Sequence, residues 1–104
     1  MPRAGFRLEA TLQFAQELEG ALNYVEFQLR NPEAADRLQT DVETAVRGRL
    51  SCPLAFEPVV SRADREHPYY RIYIGNYIVF YCVVGDAMEL RRFVYRGRNW
   101  KTLV

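Results

Sequence analysis

The chain has 104 residues, 49% hydrophobic and 13% aromatic, which suits one small packed core and argues against a disordered chain. A net charge of +1 excludes a uniformly basic nucleic-acid coat, but the halves differ. Residues 1–52 hold six Arg against eight acids, and residues 53–104 hold eight Arg and Lys against five acids, so the positive field is local.

Residues 6–10 partly alternate and predict a short first strand. From Thr11 the period changes: Phe14, Leu18, Leu22, Val25 and Leu29 recur every three or four residues, as one stripe of an amphipathic helix. Tyr24 and Phe27 point off that stripe. Asn31-Pro32-Glu33 signals a second helix, with a capping side chain, a proline pre-set for the first turn and acids at the positive end of the dipole. Ala35, Leu38, Val42, Ala45, Val46 and Leu50 repeat on one face of it. A link of about two residues folds the helices back as an antiparallel hairpin. Cys52-Pro53 ends the second helix, and residues 53–68 read as a connecting loop.

Three strands follow. In residues 69–74, Tyr70, Ile72 and Ile74 face one way and Tyr69, Arg71 and Tyr73 the other. Gly75-Asn76 turns into an apolar central strand, residues 77–84, and Gly85-Asp86 turns into residues 88–95. The predicted fold is a single α+β domain over 1–104, with an N-terminal strand and a helical hairpin on one face of a small antiparallel β-sheet. The other sheet face is expected to be partly open and to carry Arg71 and Tyr73. Between Arg91 and Lys101 there are five cations and no acid. Guanidinium groups stay charged and present a planar donor fork to phosphates or carboxylates, so the Arg71 and Arg98 groups are expected to converge on one anion-binding concavity.

Cys52 and Cys82 make neither a disulfide framework nor a metal-ligand spacing, and reduced cytosolic thiols are expected. The N-terminus lacks the apolar stretch of a signal peptide, and the longest apolar run is far short of a membrane span, which predicts a soluble cytoplasmic protein with no membrane contact. No phosphate-binding glycine loop or metal-ligand set is visible, so no cofactor and no metal are expected.

The ordered set of strand, helical hairpin with Asn31-Pro32-Glu33-Ala34-Ala35, and meander resembles the RelE/ParE superfamily of bacterial toxins. Its closest echoes are Tyr70-Arg71-Ile72-Tyr73-Ile74-Gly75-Asn76-Tyr77 and Arg92-Phe93-Val94-Tyr95-Arg96-Gly97-Arg98-Asn99-Trp100. The resemblance covers residues 6–101 and implies a growth-arresting, plasmid-stabilising toxin of a type II toxin–antitoxin pair, held inactive by an antitoxin in the groove between helices and sheet. RelE-like members cut messenger RNA on the ribosome; ParE-like members inhibit DNA gyrase. Three departures bear on that choice. Ile78 and Cys82 stand where many RelE-like relatives place arginines, the terminal order is Arg96-Gly97-Arg98 in place of Gly-Arg-Arg, and no tyrosine follows it.

Metal-independent RNA cleavage needs a base, an acid and cations around one phosphate. On the nuclease reading, which stands first, Arg71, Tyr73, Tyr95 and Arg98 are the catalytic set, and Arg92, Arg96 and Lys101 bind RNA, with ribosome and message as partners. The alternatives are a gyrase-binding toxin that needs no proton transfer, or an inactive module that only pairs with an antitoxin. His67 reads as a surface loop residue and Trp100 as an anchor for the tail.

Overall fold

The computed structural model describes residues 5–60 and 66–104. Strand β1 (Arg7–Ala10) leads into helix α1 (Leu12–Asn23), a π-helical segment (Tyr24–Gln28) and helix α2 (Pro32–Arg49). Strands β2 (Tyr70–Ile74), β3 (Tyr77–Val84) and β4 (Ala87–Tyr95) follow, with a 3-10 turn at Trp100–Thr102. The loop expected over 53–68 lies partly outside the described residues, and the first four N-terminal residues lie wholly outside them.

Local signals set the helix ends. The Thr11 hydroxyl accepts from the Phe14 amide at 3.1 Å, and the Asn31 side chain accepts from the Ala34 amide at 3.1 Å, each satisfying an amide that has no helical partner. The first helix does not run to Leu29 as one α-helical stripe. The Leu29 amide reaches back to the Tyr24 carbonyl, five residues earlier, and this wider turn shifts the phase, leaving Leu29 56% exposed. Arg30 closes the segment at φ 52°, a left-handed conformation that usually falls to glycine.

The meander β2–β3–β4 is antiparallel as expected, and β1 adds in parallel to β4, so the four-stranded sheet, ordered β1-β4-β3-β2, is mixed. Gly75 and Gly85 open the two hairpin turns at φ 55° and 61°, the positive values those two-residue turns demand. Strand β4 carries a bulge: Phe80 pairs with Arg92 and Tyr81 with Leu90, leaving Arg91 as the extra residue. The extra residue resets the pleat, so that Leu90 and Phe93, three apart, both face the helices.

Apolar clusters occupy both sheet faces. Phe14, Val42 and Val46 pack on Ile72, Val79, Tyr81, Met88 and Phe93 on the helix side. On the far side Val59, Trp100, Leu103 and Val104 pack on Ile78, Phe80, Cys82 and Val94. The far face is thus only partly open, as expected: the tail covers its middle, and Tyr73 stays exposed. Residues 77–84 are too apolar to face water on either side, and the tail folds back to cover them. Trp100 sits 5.4 Å from Phe80, ring centre to ring centre, as the anchor expected of it. Among the described residues no helix is long and apolar enough to cross a membrane.

Candidate functional site

Two surfaces carry the chemistry, one on each side of the sheet. The first is a groove of about 970 Å³ between the helical hairpin and the sheet. Its helix wall includes Tyr24, Leu29 and Arg37, and its sheet wall includes Tyr77, Tyr95 and Arg98. The rings of Tyr77 and Phe93 stack at 4.9 Å, and Tyr95 meets Tyr77 edge-on at 5.9 Å. Burial, then the neighbouring Tyr95 and Tyr24, push the Tyr77 phenol above its ordinary ionisation range, so it is neutral at physiological pH. Gly97 lets the turn after β4 pass close to Tyr95: a Cβ there would lie 2.6 Å from the Tyr95 ring. The groove is thus an apolar and aromatic trough, with Arg37 and Arg98 as cations and Glu17 and Asp41 as acids.

The second surface lies on the far side, where the sheet ends and the tail begins. The Arg71 guanidinium is 5.7 Å from the centre of the Tyr73 ring and 5.8 Å from that of Trp100. Arg96 lies over the same Tyr73 ring, 4.7 Å from its centre, and the Lys101 ammonium is 5.9 Å from the Trp100 ring centre. A cation within about 6 Å of a ring centre is drawn to the negative face of the ring. Among the described residues, Arg71, Arg96, Arg98 and Lys101 form no ion pair, whereas Arg7, Arg91 and Arg92 all do.

Arg92 belongs to neither surface. Its Nε and Nη2 donate to Glu17 of α1 at 3.1 and 2.8 Å, and its Nη1 donates to the Leu103 carbonyl at 3.2 Å. Glu17 also accepts from the Phe93 amide at 2.9 Å, an edge amide past the last β1 partner, at Leu90. Hydrogen bonding to Glu17 raises the Arg92 pKa further above its ordinary value, against the opposing effect of burial. Its donor fork is spent inside the protein, holding helix, strand and tail together. Arg49, not singled out from sequence, has a similar bracing role: it donates to the Tyr81 hydroxyl at 2.9 Å and stacks 3.5 Å from the Phe56 ring centre.

The four residues expected to surround one phosphate divide between the two surfaces. Tyr73 pairs with Ile78, on the far side, while Tyr95 pairs with Tyr77 and faces the groove. Arg71 goes with Tyr73, and Arg98 borders the groove with Tyr95. Arg96 and Lys101, expected to bind RNA, lie with the Arg71 pair. His67 lies 3.7 Å from the Glu66 carboxylate, and the described residues include no cluster of three or more His, Cys, Asp or Glu able to hold a metal. The groove residue Arg37 has no sequence signal of its own, because the packing of the hairpin on the sheet creates its setting.

Comparison with known proteins follows the fold. Residues 8–100 match the family described as the ParE toxin of the type II toxin–antitoxin system, parDE. Among solved structures, a chain of the chromosomal ParDE toxin–antitoxin system from P. aeruginosa superposes with a TM-score of 0.70 at 14% identity, covering 86% of this chain and 95% of that one. A chain of the archaeal RelE-RelB complex from Pyrococcus horikoshii OT3 superposes with a TM-score of 0.52 at 18% identity, covering 89% and 97%. Curated proteins give no significant match.

Proposed function

The chain belongs to the ParE toxin family of type II toxin–antitoxin systems, within the RelE/ParE superfamily, and from that membership we propose that it arrests growth by contact with DNA gyrase and not by cutting messenger RNA. It acts in the cytoplasm as a single toxin domain, and a cognate antitoxin holds it inactive. The groove suits that partner: an amphipathic segment would lay apolar side chains against Tyr24, Leu29 and Tyr77, and acidic ones near Arg37 and Arg98.

The observation that carries the choice of target is the division of the four candidate catalytic residues. A base and an acid must stand on opposite sides of one phosphate, within hydrogen-bond reach of it. Tyr73 and Tyr95 project from opposite faces of the sheet, and the middle of the far face is filled by the tail. A binding function asks for neither. The superposition on the RelE-RelB chain keeps the nuclease as the rival reading, and one cell experiment separates the two. After brief induction without antitoxin, the proposal expects loss of negative supercoiling or broken DNA while protein synthesis continues. Cut messages and halted synthesis with normal supercoiling would favour the nuclease.

A further inference from the structure

We infer that the chain associates with further copies of itself head to tail, the basic row beside the tail of one copy seating in an acidic trough on the helical hairpin of the next. The trough, about 470 Å³, lies between α1 with its π-helical extension and α2, apart from the groove that faces the sheet. Phe14, Leu18 and Leu22 belong to its apolar lining, Glu19, Glu26 and Asp36 are its acids, and no Lys or Arg lines it. Among the described residues, none of these three carboxylates forms an ion pair. Like charges gathered without a counter-charge repel one another, and an incoming cationic surface relieves that repulsion.

The chain itself carries the matching surface. Arg71 and Arg96 flank the 48% exposed Tyr73 ring, and Lys101 lies beside Trp100. None of these cations is spent on an ion pair among the described residues. An exposed ring among cations meets an apolar trough among carboxylates, so charge and polarity agree across the contact. Trough on trough or row on row would set like charges together, so only the head-to-tail pairing fits. The trough lies on the helices that cover one sheet face and the row lies on the other side, so one copy cannot satisfy both of its own surfaces. A heterologous contact of this kind leaves a free surface at each end, and assemblies lengthen with concentration. With a net charge of only +1, whole copies scarcely repel one another. The inference reaches beyond the gyrase reading, and its test contains neither gyrase nor antitoxin, so either can fail without the other.

The test is sedimentation equilibrium of the full chain over a concentration series, in about 20 mM and about 500 mM salt. At low salt the average mass should climb with concentration past that of a dimer, and at high salt the chain should stay monomeric. Glu19→Gln with Asp36→Gln disables the trough, and Arg71→Gln with Arg96→Gln disables the row; each should weaken self-association roughly tenfold or more. Mixed in equal amounts, the two variants offer one intact row and one intact trough, and should form a dimer that grows no further. Glu33→Gln with Glu43→Gln, exposed acids outside the trough, should associate like the parent, and thermal melting checks that each variant folds. A parent monomeric at low salt, a parent that stops at a dimer, association that strengthens with salt, an equal loss with Glu33→Gln and Glu43→Gln, or a mixture that stays monomeric would each overturn the inference.

Discussion

Replacing Glu17 by Ala probes the junction on which the rest of the fold depends. Glu17 and Arg92 have side chains only 20% and 13% exposed, so removing the carboxylate leaves a largely enclosed guanidinium unpaired. The same change strips the Phe93 amide of its acceptor. Breaking a buried pair costs about 3–5 kcal/mol, and partial exposure places this one at the lower end, about 3 kcal/mol with the orphaned amide included. For a domain of this size that lowers Tm by about 15 °C. Glu17→Gln keeps an acceptor for the amide and loses only the charge, so about half the effect is expected. Glu17→Leu combined with Arg92→Met removes both charges and should recover most of the loss. Urea unfolding followed by circular dichroism measures all three. A Glu17→Ala variant within about 0.5 kcal/mol of the parent would mean that the pair behaves as a surface ion pair, and the reasoning would fail.

Three further outcomes are expected. Arg30→Gly relieves the left-handed backbone at φ 52° and should raise stability by about 1 kcal/mol in the same urea experiment. Burial raises the Tyr77 and Tyr81 pKa values in the folded protein, so their contribution is complete below pH 10, where the unfolded phenols ionise, and is lost as pH rises through the higher folded values. Tyr77→Phe should therefore flatten the alkaline fall of the urea midpoint, and a fall of unchanged steepness would contradict this. Trp100→Ala should uncover Phe80 and Ile78, cost about 3 kcal/mol and increase binding of a hydrophobic dye at neutral pH.

What was legible in the sequence was local. Asn31-Pro32-Glu33 announces a helix start because capping involves residues three apart, the change of period at Thr11 marks the other, and Gly75 and Gly85 announce turns because the backbone there needs positive φ. The apolar run 77–84 marks the central strand, but nothing in its own pattern says that Trp100, Leu103 and Val104 supply the cover on its far face. The parallel pairing of β1 with β4 joins residues about eighty apart, which periodicity cannot reveal. The bulge at Arg91 breaks strict alternation, so the facing of Arg92 could not be counted from the strand, and its partner Glu17 sits 75 residues away. Residue type and the family resemblance point to Arg71, Tyr73, Tyr95 and Arg98 without fixing which face each occupies. The pleat then sent Tyr73 and Tyr95 to opposite faces.

The most direct test of a toxin that works by contact uses purified components: gyrase, relaxed plasmid and ATP in one reaction, and translating ribosomes in another, each titrated with this protein. Blocked supercoiling or trapped DNA breaks, reversed by adding the antitoxin, together with intact message, is the predicted result. Message cut at defined positions while gyrase supercoils normally would contradict it.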